Sequence, residues 1–542
     1  MPIVAKNPIL PGFYPDPSIC AVGEDYYIVN SSFAYFPGLP IMHSTDLAHW
    51  EQIGNVLDRE SQLPLGDSEI SRGLFAPTIR YYNGTFYVIC TNVSYGGNFI
   101  VTATDPKGPW SEPHYIKDAD GIDPSLFFDE DGKCYYIGTH PNPDGCRYDG
   151  DWFIYIRELD IEKFEFVGEA KNVWNGAMKG VHWPEGPHLY HIGEYYYIIH
   201  AEGGTGPEHA VSVARSREVF GPYENNFCNP IFTHRHLGER YPIKYVGHAD
   251  LFQAANGDWY MIMLAVRPTL GFTTMGRETF LARVIWEKDW PVVNPGLGIL
   301  SPEVLVNLPE SVPTEPFTSR PGVSKLYDFT QGAPLGPEFL FIRNPREDMY
   351  RCCEGDGLHL TCSKDRINSF GKPSFIGLRQ DSKLFETTVT LKTDGLVDGY
   401  CAGIVLYQNQ NDNLRIEYGG CHATVIFTRK GVEEKIGSVM LPANLVTLVI
   451  SVVGIRASVA AVVGQNIQII AKDLDISDLS TEKAGGFVGN TLGFYAQCLE
   501  DCTEEREAVI RSFSYKIIVP QDRPASDKDK EDENSDSKNT EE

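Results

Sequence analysis

Five segments of this chain repeat one short pattern. They read DPSICAVGEDYYIVN from Asp16, APTIRYYNGTFYVIC from Ala76, DPSLFFDEDGKCYYIG from Asp123, GPHLYHIGEYYYIIH from Gly186 and HADLFQAANGDWYMIML from His248. Each has a short entry, a turn of Gly with an acidic residue or Asn, and then an aromatic-rich run. That is the signature of a β-hairpin. The hairpins start at intervals slightly longer than a four-stranded propeller blade of about 40–50 residues. Between them lie turn signals for outer strands, such as Ser44–Leu47 before Trp50, Asp105–Trp110 and Phe220–Tyr223. No long amphipathic helix separates the hairpins, which disfavours a parallel α/β fold. The reading is an all-β chain whose residues 1–300 form a five-bladed β-propeller.

The remainder has a different character. Residues 301–324 carry five prolines and read as a linker or a strap across a surface. Residues 325–519 contain short alternating segments such as LFETTVTLKT, AGIVLYQNQ and TVIFTRKG. These predict a β-sandwich. The most apolar stretch, Leu445 to Val463, is broken by Gly454 and Arg456. It reads as two strands and a turn rather than a membrane span. The stretch 520–542 is rich in charge and lacks hydrophobic anchors, so its composition predicts disorder. A length of 542 residues agrees with more than one domain.

Charge and motifs narrow the functional classes. The formal net charge of -27 argues against nucleic acid and anionic membranes as partners. Neither a phosphate-binding GxxxxGK[ST] loop nor a strand-bound GxGxxG occurs. The blades also lack the Gly-His and Trp-Asp pairs of signalling propellers. Twelve scattered cysteines with no CxxC suggest free thiols. The first residues show no basic segment followed by an apolar one, so a cytoplasmic location is expected.

In a propeller, the starts of the innermost strands line a central channel. Asp16, Ala76, Asp123, the Glu185–Gly186 junction and His248 therefore converge on one axis. Carboxylates gathered in this way repel one another and lose hydration, so stability alone would not select them. Read singly, Asp-Pro is a turn starter and Glu185 an ordinary loop residue. Three carboxylates at matched repeat positions point to chemistry instead. Glycoside hydrolysis needs one group to protonate the leaving oxygen and another to act on the opposite face of the sugar. A third can raise the acid's pKa through like-charge repulsion.

The segments NPILPGFYPDPSI, DGIDPSLFFDEDGKCYYIGT, WPEGPHLY, TGPEHAVSVARS, GHADL and MGRETF resemble glycoside hydrolase family 43. The closest group is the β-xylosidases that carry a C-terminal concanavalin-like β-sandwich (a jelly roll). The resemblance implies an inverting, exo-acting β-1,4-xylosidase that releases xylose from the non-reducing ends of xylo-oligosaccharides. It implies Asp16 as general base, Glu185 as general acid, and Asp123 as the residue that tunes and orients that acid. His248 corresponds to a channel histidine that holds a water or a calcium ion, or is simply a satisfied buried side chain. Arg277 corresponds to an arginine that reaches substrate hydroxyls. Phe33 and Phe75 correspond to aromatic walls around the terminal sugar, and at Phe75 many relatives carry Trp. The chemistry requires no cofactor. The sandwich is expected to pack on the propeller and help close the pocket.

α-L-Arabinofuranosidase activity, alone or combined with xylosidase activity, is the alternative within the same chemistry, because the two pentoses present similar hydroxyls. A sugar-binding protein without catalysis is the alternative from another class, and the presence of all three carboxylates argues against it. The sequence leaves self-association into a homo-oligomer open.

Overall fold

The computed structural model describes residues 2–311, 319–498 and 504–519. The acidic stretch 520–542 lies outside them. Five four-stranded antiparallel sheets follow one another along the first 293 residues, each formed from a contiguous piece of chain. Blade I comprises Ser18–Val22, Asp25–Val29, Gly38–Ser44 and Glu51–Leu57, and blade II runs from Thr78–Tyr82 to His114–Tyr115. Blade III spans Ile122–Phe128 to Glu165–Trp174, blade IV Glu185–Ile192 to Glu224–Asn225, and blade V Lys244–Gln253 to Trp290–Val293. In each blade the predicted hairpin supplies the two innermost strands. The turn chemistry is local. In blade II, Asn83 and Gly84 both have positive φ, the backbone a two-residue hairpin turn needs.

The aromatic and β-branched runs bury both faces because a blade is covered on both sides. Alternate residues of Cys134–Pro141 divide between two cores. Tyr136 packs with Ile89 and Ile100 of blade II, while Tyr135 and Ile137 pack with Leu189 and Ile198 of blade IV. Blades IV and V share Tyr197, Ile199, Leu251 and Met261, and blades V and I share Ile19, Tyr26, Phe252 and Tyr260. The ring is closed by the N-terminal segment. Ile3–Lys6 pairs with Glu303–Val306, a strand inside the proline-rich stretch that suggested a strap. Asn7 then grips both backbone groups of Leu281 in blade V, accepting from its N–H at 2.8 Å and donating to its carbonyl at 2.8 Å. The same segment runs on into Asp16.

The C-terminal unit is a sandwich of an eight-stranded and a six-stranded sheet. Leu445–Val453 and Arg456–Val463 are the two predicted strands, joined at Gly454. Leu384–Lys392 alternates buried and half-buried residues, as a strand with one covered face should. Thr491–Cys498 is buried along its whole length: Thr491 meets Tyr35 of blade I, while Glu417 of the sandwich itself accepts hydrogen bonds from Tyr495 and Gln497. Phe341–Ile342 of the sandwich pairs with Tyr35–Phe36 of blade I, and Asn344 exchanges hydrogen bonds with Leu63 and Leu65. The core between blades I and II runs without a break into the sandwich core.

A buried ionic hub joins four blades. Asp250 Oδ2 of blade V accepts hydrogen bonds from Ser18 Oγ (2.7 Å), the Ile19 N–H (3.0 Å) and Arg80 Nη1 (2.9 Å). Its Oδ1 accepts from Tyr190 Oη (2.6 Å) and Arg80 Nη2 (3.2 Å). Arg80 also donates to His188 Nδ1 at 3.0 Å, and burial pushes that imidazole down to about 3, so it stays neutral. Burial alone would raise the Asp250 pKa, but the Arg80 charge and the hydrogen bonds from Arg80 and Tyr190 hold it well below the usual carboxylate range. Stability from such a group is present above the unfolded pKa of about 3.9 and is lost as pH falls toward the folded value. Replacing Asp250 with Ala leaves Arg80 buried without its partner, a loss expected to be about 3–5 kcal/mol. Thermal unfolding at pH 7 should show a clear drop that shrinks toward pH 3. An unchanged melting temperature would refute the hub's role.

Candidate active site

The innermost strands enter the channel through one repeated backbone device. Asp16, Asp123, Gly186 and His248 all lie in the left-handed region, with φ of 50°, 53°, 53° and 46°. In blades III, IV and V a β-bulge accompanies the turn, between Ile122 and Ser125, Glu185 and His188, and Gly247 and Ala249. A bulge re-aims side chains at a strand end, and Asp tolerates the left-handed turn better than most residues. The register also refines the repeat. Gly186, not Glu185, is the equivalent of Asp123, and Glu185 stands one residue earlier. The reason is steric: a Cβ on Gly186 would lie 2.8–2.9 Å from the His248 imidazole. With the matched position filled by that ring, blade IV presents its carboxylate from the preceding residue.

Asp16, Phe33, Phe75, Asp123, Glu185, His248 and Arg277 all line one cavity of ≈ 400 Å³. Asp16 Oδ1 accepts from Arg277 Nη1 at 2.5 Å, and its Oδ2 accepts from Ser31 Oγ at 2.6 Å. His248 Nδ1 stands 3.8 Å from Asp16. Asp123 Oδ2 accepts from the backbone N–H of Gly186 at 3.2 Å, which ties it to the residue after Glu185. Burial raises the Asp123 pKa to about 6, with His248 opposing and Asp16 reinforcing the shift. Glu185 is pushed well above the ordinary carboxylate value, first by burial, then by the charges of Asp123 and Asp16, against the pull of Arg277. The site therefore separates its acids: Asp16 is paired with a guanidinium, while burial and neighbouring negative charge favour the protonated form of Glu185.

The cavity also contains residues not singled out in the sequence. Phe487, from the sandwich, forms its roof. The Phe33 and Phe487 rings stack at 6.0 Å between centroids, and Phe75 meets Phe33 edge-on at 5.6 Å and Phe487 at 6.0 Å. Arg277 sits 5.7 Å from both the Phe33 and Phe487 ring centres. The loop that carries Phe487 is pinned to the propeller. Ser71 Oγ accepts from the Phe487 N–H at 3.0 Å, and Glu482 accepts from the Thr273 N–H and hydroxyl at 2.7 Å each. The run GGFVG at 485–489 is the one sequence signal that marks this aromatic as a loop tip. Trp183, Gly204 and Thr205, with Ala76 and Ile122, complete the lining. His209, whose Nδ1 donates to the Tyr245 carbonyl at 2.9 Å, packs over Gly247, and burial lowers it to about 4.

Calcium takes six to eight oxygen ligands. Among the described residues, no group of three or more His, Cys, Asp or Glu side chains is placed to hold a metal. Asp16, the carboxylate beside His248, is already engaged by Arg277 and Ser31. These described residues do not form a calcium cage.

Comparison with known proteins places this geometry in context. A family model described as "Glycosyl hydrolases family 43" matches residues 5–291, and one described as "Beta xylosidase C-terminal Concanavalin A-like domain" matches residues 327–516. The chain is 50% identical to a xylosidase/arabinosidase of Butyrivibrio fibrisolvens over 91% of its own length and 96% of that protein. It is 38% identical to a non-reducing end α-L-arabinofuranosidase of Bacteroides ovatus over 91% of each chain. The crystal structure of a xylan β-1,4-xylosidase from Bacillus halodurans superimposes with a TM-score of 0.85 at 31% identity, covering 94% of this chain and 100% of that one.

The electrostatics lead to a measurable shift. Asp123→Asn removes a negative charge beside Glu185, so the Glu185 pKa should fall. A ¹³C-carboxyl NMR titration of glutamate-labelled protein reads this directly. An unmoved midpoint would mean that burial alone sets the acid's protonation.

Proposed function

This chain belongs to glycosyl hydrolases family 43, and on that premise we propose that it removes single pentose units from the non-reducing ends of xylan-derived oligosaccharides with inversion at the anomeric carbon. In this reading Glu185, neutral in its buried setting, protonates the leaving oxygen. Asp16 withdraws a proton from a water that attacks the opposite face of the sugar. Arg277 and Ser31 hold the Asp16 carboxylate in place, and each of its oxygens keeps a further lone pair for that proton. Asp123 keeps Glu185 protonated and, through the Gly186 N–H, sets the strand that carries it. Arg277 and the Phe33, Phe75 and Phe487 rings bind the terminal sugar.

One observation carries the reading. Three carboxylates from three different blades, Asp16 and Asp123 buried and Glu185 half-buried, line one cavity whose electrostatics favour the protonated form of Glu185 and pair Asp16 with an arginine. The aromatic roof supports exo-action, since a cavity capped by Phe487 suits a chain end better than the middle of a polymer. β-Xylosidase and α-L-arabinofuranosidase activity are both proposed. The relative from Butyrivibrio fibrisolvens is named for both sugars, and the one from Bacteroides ovatus for arabinofuranose.

Glu185→Gln should lower kcat/KM on an alkyl β-xyloside by about 10²–10⁴-fold. The loss should be smaller on a dinitrophenyl β-xyloside, whose leaving group needs little protonation. Equal activity of wild type and variant on both substrates would remove Glu185 from the acid's role. ¹H NMR of the first product formed should show α-xylose from a β-xyloside, and β-xylose appearing first would establish retention. Parallel rates on an aryl α-L-arabinofuranoside measure the second activity.

A further inference from the structure

Trp183 has no part in the mechanism above, yet it is held in a costly conformation. Its φ is 46°, a left-handed backbone that bulky aromatic residues rarely adopt and that persists only where the surroundings enforce it. Those surroundings are specific. The Trp183 N–H donates to the Gly150 carbonyl at 2.8 Å, and the neighbouring His182 carbonyl accepts from the Gly203 N–H at 2.8 Å. The loop before it is anchored by buried Glu202, which accepts the Ala177 N–H at 2.9 Å and contacts His200 at 3.3 Å. Room for the indole comes from a missing side chain: a Cβ on Gly204 would lie 2.9 Å from its Cε3 and 3.0 Å from its Cζ3. The ring is only partly buried, and it lines the catalytic cavity two residues before Glu185.

The cavity therefore has two aromatic walls. Phe33, Phe75 and Phe487 cluster around Arg277, the partner of Asp16. Trp183 stands apart from them, beside Glu185, Gly204 and Thr205. The group that Glu185 protonates must leave from the acid's side of the cleft. Flat aromatic faces recognise the apolar face of a sugar ring by contact area at low entropic cost. We propose that Trp183 is the platform on which the departing sugar ring stacks, a specificity residue for the leaving group. This rests on the reading of Glu185 as the acid. It predicts a preference for ring-shaped leaving groups, xylosyl or aryl, over small alkyl ones.

The test compares xylobiose, whose leaving group is a sugar ring, with methyl β-xyloside, whose leaving group has no ring. In Trp183→Ala, the ratio of kcat/KM for xylobiose to that for methyl xyloside should fall about tenfold. The fall should lie mostly in KM, and Trp183→Phe, which keeps a flat face, should recover most of it. Trp183→Leu retains apolar bulk without a flat face and should behave like the alanine variant, giving the same reading if alanine prevents folding. An unchanged ratio in folded Trp183→Ala or Trp183→Leu would overturn the platform while leaving the hydrolase reading intact. Wild-type protein that cleaves neither substrate would overturn the hydrolase reading, and the platform with it.

Discussion

Three carboxylates share one narrow axis, and the rest of the molecule is organised around making that tolerable. Two charges about 4 Å apart repel by several kcal/mol in a medium of effective dielectric near 20, and burial removes the water that would screen them. The site answers with one strong counter-charge, Arg277 on Asp16, and by favouring the protonated form of Glu185. His209, which packs over Gly247 and which burial lowers to about 4, adds no further charge nearby. An arrangement this unfavourable can be held only by a frame whose own stability comes from elsewhere. The five interblade cores and the Asp250 hub supply that stability.

The hub and the active site are built at different depths of the same innermost strands. Asp250 and Asp123 both lie on innermost strands, Asp123 at the mouth of its strand and Asp250 two residues beyond His248, deeper in its own. Around Asp250 every lone pair is met by a donor from another blade, so its pKa drops and it acts as a fastener. Around Asp123 only one backbone N–H is near, so its pKa rises and it acts on Glu185. The number of donors, rather than the residue type, separates structure from chemistry here. The closed ring then fixes the distances, because left-handed turns and bulges at the strand mouths leave the carboxylates little freedom.

The sandwich is part of the site and not a passenger. Its Thr491–Cys498 strand meets blade I at Thr491, whose hydroxyl shares a hydrogen bond with Tyr35, and the loop just before that strand delivers Phe487 to the cavity roof. The propeller alone would leave Phe33 and Arg277 open to water. Excluding water there strengthens the Arg277–Asp16 pair and keeps Glu185 neutral, so the packing of the two domains and the acid–base separation are one problem.

Much of this was legible in the chain. The hairpins were readable because turn chemistry and period-two patterning are local: Asn83-Gly84 and runs such as Tyr195–Glu202 specify their conformations within a few residues. Asp16, Asp123, Glu185 and His248 were readable because repetition converts sequence position into position on an axis. Other features depended on contacts the sequence does not display. Glu185 stands one residue before the matched position because the His248 ring, more than sixty residues away, occupies the space over Gly186. Phe487 is pinned by Ser71, more than four hundred residues away, and Trp183 is turned inward by Gly150 and Gly204. The sequence by itself determined the blades, their order and the residue types brought to the axis, because strand and turn preferences act over short range. Only the tertiary structure decided which carboxylate is left without donors and kept protonated, and which aromatic side chains wall the cavity, because burial, charge proximity and ring stacking exist only once distant segments share the same space.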